Sequence, residues 1–167
     1  MPPERDEHAG GETAERDHED LGERLGALES AIDDLKRRQV VAELRADPGR
    51  LLAGVGDVRR LARQDLDDLA EVLARWDVPL SPDEELQLQQ VALVAQGVSG
   101  PRRSTVHLVV GVASRACTAD LEAVARAARV LTDHGRRAIP VLVALTPLGH
   151  DPTEAALALG VEIVVDA

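Results

Sequence analysis

The chain has almost no aromatic residues. Phe and Tyr are absent, and Trp76 is the single Trp among 167 residues. A hydrophobic core must therefore be built from Leu, Val, Ile and Ala, which suits helices and a buried sheet. Modules that bind single-stranded nucleic acid by stacking bases on aromatic side chains are excluded, because the chain has no aromatic platform.

Cysteine, lysine and long apolar runs are also scarce. Cys117 is the only cysteine and Lys36 the only lysine, so no internal disulfide can form, and a reducing cytoplasm is expected. No apolar run approaches the length of a membrane span, and the acidic N-terminus lacks the apolar segment of a signal peptide. We therefore expect a cytoplasmic protein that makes no contact with a membrane.

Positive charge is outweighed by negative charge, with a formal net charge of −11. Residues 1–20 hold eight acidic and two basic residues, whereas residues 101–167 hold seven of each. Binding to phosphate backbones requires a positive surface, so the balance argues against nucleic acid as a partner. Residues 1–20 also offer little to bury, and we predict a disordered acidic tail there.

A heptad pattern follows the acidic tail. Apolar residues, with one polar exception at Gln39, recur at alternating spacings of four and three, which is typical of a coiled-coil seam. The predicted seam consists of Leu21, Leu25, Leu28, Ile32, Leu35, Gln39 and Ala42. We therefore predict a coiled-coil helix over residues 21–47 and a homodimer. The alternative is a single amphipathic helix that packs on the chain's own globular domain.

Charges beside the seam favour a parallel, in-register pair. In that arrangement Arg24 faces Glu29 of the partner helix, and Arg38 faces Glu43. Opposite charges at these flanking positions help to select partner and orientation, and a buried Gln39 would fix the register.

Residues 48–90 are predicted to form a helical linker region. A D-P-G sequence at 47–49 ends the coiled-coil helix. Asp57 is expected to cap a helix that runs to about Trp76, because apolar residues recur there at helical spacing. An S-P-D-E sequence at 81–84 is a capping box that opens a further short helix.

Residues 91–167 have the pattern of an α/β domain. Buried strands are predicted at 91–98, 105–112, 139–145 and 161–165, because these segments are short, apolar and rich in Val and Ile. Amphipathic helices are predicted from Thr118 and from about Asp151. Strands that alternate with helices imply right-handed parallel crossovers.

Four sequence segments of this region resemble sequences of a known family. They read H-L-V-V-G-V-A-S-R at 107–115, D-L-E-A-V-A-R-A-A-R-V-L at 120–131, G-R-R-A-I-P-V-L-V-A at 135–144 and A-L-G-V-E-I-V-V at 158–165. They resemble the C-terminal half of PD-(D/E)XK nuclease-like domains, and more closely an uncharacterised group of prokaryotic proteins that join such a domain to an N-terminal coiled coil. The resemblance implies a restriction-endonuclease-like α/β domain with a mixed, partly parallel sheet over 91–167.

The same resemblance exposes a missing catalytic motif. Active members of the family hold Mg²⁺ with an Asp and a later acidic residue, and a Lys two residues further assists. The resemblance places the later acid at Gly111, the Lys at Ala113, and the upstream Asp near Ala95 or Gln96. None of these is acidic or Lys, so the resemblance implies a degenerate domain without a metal.

The absence of acids extends beyond the motif positions, since no Asp or Glu occurs between Glu85 and Asp120. The alternative is a Mg²⁺-dependent DNA endonuclease whose catalytic groups have moved to Asp120 or Glu122. First-turn charges of a helix explain both residues without a metal.

Other candidate contacts are weaker. Arg102, Arg103 and Arg115 are the residues that would contact an anion or nucleic acid, if any do. Cys117 precedes a helix, but no spacing rule brings His107 or His134 to it, so a small structural cysteine is the simpler interpretation. The predicted helix start at 149–153 is the basis of a third hypothesis, a small-molecule binder.

These observations favour a non-catalytic, oligomerising interaction protein built on a degenerate nuclease-like domain. Its expected partners are a second copy of itself and an unidentified protein, and no cofactor is expected. Mg²⁺ enters only under the endonuclease alternative.

Overall fold

The computed structural model describes residues 9–75 and 79–166, with side chains described from Asp20 onward in those ranges. The chain divides into two compact units, Met1–Leu35 and Lys36–Ala167. Helix α1 (Ala9–Ala46) supplies the first unit and the opening residues of the second. The predicted coiled-coil segment 21–47 is therefore helical up to its last residue.

Helix α1 also covers much of the segment that we expected to be disordered. It begins at Ala9, so residues 9–20 are helical and the prediction of a disordered tail is wrong over that range. Residues 1–8 of the predicted tail lie outside the described residues. The physical reason is cooperativity, because extending a helix that is already nucleated costs far less than starting one.

A five-stranded mixed sheet forms the centre of the second unit. Its strands are β1 (Val58–Gln64), β2 (Leu93–Ser99), β3 (Ser104–Ala113), β4 (Ala138–Ala144) and β5 (Glu162–Val165), and they lie side by side in that order. The pairs β1–β2 and β2–β3 are antiparallel, whereas β3–β4 and β4–β5 are parallel. The prediction of an α/β fold with a partly parallel sheet is confirmed.

Five further helices connect and cover the strands. They are α2 (Pro48–Leu51), α3 (Leu66–Ala74), α4 (Pro82–Gln89), α5 (Thr118–Asp133) and α6 (His150–Leu159). Helices α5 and α6 make the parallel crossovers. The predicted capping box of α4 is confirmed, because the Ser81 N–H donates to Glu84 Oε2 at 2.7 Å and the Glu84 N–H donates to Ser81 Oγ at 3.3 Å.

Strand β1 corrects the expectation of a helical linker. The predicted helix from Asp57 is wrong, since Asp57 adopts φ 52° and residues 58–64 pair with β2. The strand lies at the edge of the sheet, where its arginine side chains stay in solvent, and sheet pairing overrides the apparent helical spacing. Helix formation begins only at α3, where Asp65 caps the first turn by accepting from the Asp67 N–H at 2.9 Å.

Both faces of the sheet are buried. On one face, Val40 and Leu44 of α1 pack in a cluster with alternate β3 residues that include Leu108 and Val110. On the other face, α5 packs with β3 and β4 in clusters that also take in α3, α4 and α6. A strand buried on both sides needs a nearly continuous apolar sequence, which is what β3 has.

Candidate functional site

A cleft of about 720 Å³ lies beside the C-terminal half of β3. Strand β2 begins at Leu93, opposite Val110, so β3 continues past the end of its neighbour and leaves an open side. The cleft is lined by Arg37, Arg38, Val41, Ala42, Arg45, Gln90, Val91, Ala92, Gly111, Val112, Asp120, Ala123, Val124 and Leu142. Its volume lies within the range of small-molecule pockets.

Gly111, where the resemblance expects a metal-binding acid, has no room for a side chain. A Cβ atom built on Gly111 would overlap Cγ2 of Val124 and lie 3.1 Å from Cδ1 of Leu142. Ala113, where a Lys is expected, is buried among apolar side chains of α5 and α6. These positions therefore do not fit a Mg²⁺ site, since they offer no oxygen ligand and no space for one.

The expected upstream position does not adjoin Gly111 either. Ala95 pairs with Leu108, and Gln96 pairs with His107, so both lie further back along β3. Ala95 is fully buried, and Gln96 is exposed. Nothing in β2 therefore replaces the missing acid beside Gly111.

Asp120 and Glu122, the candidates for a moved catalytic site, both have structural roles. Asp120 Oδ2 accepts from the Cys117 N–H at 2.9 Å, which caps the start of α5. Glu122 Oε2 lies 3.6 Å from Arg126 Nη1, one turn along the exposed face of the helix. Across the described residues, no three His, Cys, Asp or Glu side chains are grouped so that they could share a metal ion.

The remaining polar groups of the cleft come mainly from α1. Arg45 Nε and Nη2 both donate to the Ala92 carbonyl oxygen, at 3.3 and 3.2 Å, and so hold the start of β2 against the helix. Arg37 and Arg38 are exposed at the rim. Asp120 is the only carboxylate among the described residues that line the cleft.

The three arginines expected to contact an anion do not meet. Arg102 and Arg103 precede β3, whereas Arg115 follows it, and the strand between them has 10 residues. At about 3.3 Å per residue the two ends are roughly 33 Å apart. Arg103 instead lines a second cavity together with Arg59 and Arg60 of β1. The sequence does not predict this grouping, because the pattern of residues 58–64 predicts a helix.

None of the histidines whose side chains the structure describes forms a hydrogen bond with Cys117. It is exposed at the start of α5, and His134 caps the opposite end of this 16-residue helix, about 24 Å away. His107 is buried in β3, and burial lowers its pKa; the charge of Arg136 acts in the same direction, against a hydrogen bond to the Arg137 backbone. The described structure therefore does not bring Cys117 together with His107 or His134.

His134 makes a different contact, which links α5 to α4. Its Nε2 lies 3.1 Å from Glu84 Oε1. The pKa of Glu84 is lowered, first by the hydrogen bond from the Ser81 backbone N–H, then by the Ser81 hydroxyl and by His134. The pair ties two helices together on one face of the sheet.

The predicted seam divides into two parts. Leu21, Leu25, Leu28, Ile32 and Leu35, which we call the leucine stripe, are 50–64% exposed. Gln39 and Ala42 are exposed too, but Gln39 Nε2 donates to Glu43 Oε1 at 3.1 Å within its own helix, and Ala42 lines the cleft. The unpartnered part of the seam is thus the leucine stripe.

No family model, curated protein or solved structure matches this chain. The resemblance to nuclease-like domains accordingly stays an expectation that rests on the sequence phrases. Within the stretches that the structure describes, no helix is both long enough and apolar enough to cross a membrane.

Proposed function

We propose that this protein is a non-catalytic interaction protein that dimerises through the leucine stripe and presents a degenerate nuclease-like α/β domain. The observation that carries the proposal is the exposure of five large apolar side chains in one row, at 54% for Leu21, 60% for Leu25 and Leu28, 50% for Ile32 and 64% for Leu35. A contiguous apolar row of this kind marks an interaction surface.

The geometry of α1 explains why the leucine stripe stays exposed. Val40 and Leu44, which pack in the core of the second unit, lie about 120° around the helix from the leucine stripe, at about 100° per residue. The helix therefore has two apolar faces. The leucine stripe and the Val40–Leu44 pair therefore lie on different faces of α1.

The occupant that we propose for the leucine stripe is a second copy of this chain in parallel register. The spacing of four and three residues is that of a two-stranded seam, and Arg24 would lie opposite Glu29 of the partner helix. The second predicted pair contributes less, because Glu43 already accepts from Gln39 and lies 3.8 Å from Arg50.

The lack of room at Gly111 and the structural roles of Asp120 and Glu122 support the non-catalytic part of the proposal. A dimer of the protein would bring two α/β domains into one assembly. Each domain would offer its cleft to an unidentified protein partner, and no chemistry is required of either.

Sedimentation equilibrium of the full chain tests the proposal. We expect a dimer that dissociates on dilution, and a monomer for Leu28→Ser/Leu35→Ser, because two core positions of each helix lose their apolar side chains. The matched control is Leu86→Ser/Leu157→Ser, which removes two exposed leucines at 53% and 79% exposure from other helices. Substitution is preferable to deleting residues 1–48, because that deletion also removes Val40 and Leu44 from the core.

Two results would refute the proposal. One is a monomeric full chain at concentrations of hundreds of micromolar. The other is loss of the dimer in the control variant to the same degree as in the stripe variant, since that would assign dimerisation to general surface hydrophobicity.

A further inference from the structure

A second cavity, of about 410 Å³, lies at the opposite end of β3 from the cleft. It is formed where the entry to β1 meets the hairpin loop between β2 and β3. Its lining consists of Asp57, Arg59, Arg60, Val98, Gly100, Pro101 and Arg103. Three arginines from two separate segments of the chain thus border one small space.

Backbone strain is concentrated around this cavity. Among the described residues, those other than glycine with a left-handed backbone are Asp57 (φ 52°), Arg60 (φ 56°) and Arg103 (φ 51°), and all three line it. The register of β1 and β2 shifts between Arg59 and Ala62, so a bulge displaces Arg60 from the regular strand. Strained conformations of this kind cluster at binding sites, where the fold holds side chains in place for a ligand.

The charges of the cavity are only partly compensated inside the protein. Asp57 Oδ1 lies 3.8 Å from Arg59 Nη2, in a pair whose side chains are both more than 70% exposed. Arg60 and Arg103 make no ion pair with any described residue. Two guanidinium groups on strained backbone therefore remain available to an anion from solution.

We propose that this cavity binds the phosphate group of a small phosphorylated molecule. Each guanidinium offers paired N–H donors whose planar geometry matches phosphate oxygens, and Arg60 and Arg103 both border the same small cavity. A site of this size takes one such group and its near substituents. The net charge of −11 opposes the extended backbone of nucleic acid, which would have to approach the whole surface.

Isothermal titration of the full chain with inorganic phosphate tests the proposal, beside a titration with a short DNA duplex. The test variant is Arg60→Gly/Arg103→Gly, which removes both guanidiniums and relieves the left-handed strain, because glycine adopts positive φ freely. The control is Arg63→Ala/Arg102→Ala, which removes the same charge from the same strand and the same hairpin but from outside the cavity. We expect phosphate affinity to fall at least tenfold in the test variant and to stay within twofold in the control.

Folding is checked by thermal unfolding, in which the glycine variant should melt at or above the temperature of the unmodified chain. Should that variant unfold, Arg60→Gln and Arg103→Gln keep the side-chain length and remove the charge, and each should lower the affinity at least fivefold. The proposal fails if phosphate does not bind the unmodified chain, or if both double variants lose affinity equally. It also fails if the DNA duplex binds more tightly than phosphate and its affinity falls steeply as the salt concentration rises. A steep fall would indicate contacts to many backbone phosphates, and the surface would then be a nucleic-acid site.

Discussion

Val124 of α5 occupies the space that a side chain at position 111 of β3 would need. A Cβ atom on Gly111 would overlap Val124 Cγ2, so the Val124 side chain packs on the strand at a position that carries no side chain. A larger residue at this position would require the side chains of Val124 and Leu142 to shift. The contact links the apolar packing of α5 to the absence of a side chain at position 111.

Replacing Gly111 with alanine should destabilise the protein. Overpacking of this kind costs about 1–3 kcal/mol of unfolding free energy, and Gly111→Asp should cost more because it also buries a charge. The measurement is the urea midpoint at constant slope. Val124→Ala makes room for the new methyl group. The double variant Gly111→Ala/Val124→Ala should therefore lose less unfolding free energy than the two single variants lose together, by more than about 0.5 kcal/mol. Additive effects would show that the two residues are not in conflict.

Mg²⁺ should not produce DNA cleavage by the purified protein. We expect plasmid and single-stranded DNA to remain intact in the presence of Mg²⁺, because the motif positions have no ligand and Asp120 is the only carboxylate in the lining of the cleft. Asp120→Asn is the informative variant. Cleavage by the unmodified chain that disappears in this variant would establish the endonuclease alternative.

A charge reversal beside the leucine stripe should weaken the dimer. Arg24→Glu places a negative charge opposite Glu29 of the partner, so each of the two attractive pairs in the dimer becomes repulsive. Exposed ion pairs contribute about 0.2–1 kcal/mol each, and the dissociation constant of the dimer should therefore rise several-fold at low salt. Arg24→Glu/Glu29→Arg restores opposite charges and should restore the affinity. A double variant as weak as the single one would contradict the parallel register.

Stability should fall when the solution is acidified below about pH 6.5, the ordinary pKa of histidine. The pKa of His107 is lowered by burial, so below that pH the unfolded chain takes up a proton that the folded chain does not. The unfolding free energy therefore falls between the two pKa values and the loss is complete below the folded one. His107→Gln should flatten this pH dependence of the urea midpoint, and His150→Gln, at an exposed histidine, should not. Equal slopes for all three proteins would rule out this role for His107.

The parts of the fold that could be predicted are those whose sequence pattern has one interpretation. The valines of β3 allow little but a strand buried on both faces, and the structure has a strand over Ser104–Ala113. Segments whose apolar pattern fits both a helix and a strand are predicted wrongly. Residues 58–64 have apolar spacing that fits a helix, and only pairing with β2 makes them a strand.

The candidate sites depend on contacts that distant parts of the chain make. The heptad spacing predicts that the seam continues to Gln39 and Ala42. In the structure it is Val40 and Leu44, in the same part of α1, that pack in the core. The sequence predicts Arg103 as a possible anion contact, and its neighbours in the lining of the second cavity are Arg59 and Arg60. Only the pairing of β1 with the β2–β3 hairpin brings them together.

Site-specific cross-linking tests the proposed dimer most directly. In a parallel, in-register pair the two copies of residue 28 lie face to face at the seam, within the Cα separation that a disulfide spans. The variant Leu28→Cys/Cys117→Ser should therefore convert to covalent dimer on mild oxidation, whereas Leu157→Cys/Cys117→Ser, at the 79% exposed leucine of α6, should not. A covalent dimer confined to the first variant is the result that we predict. Equal cross-linking of both variants, or none at residue 28, would contradict the account.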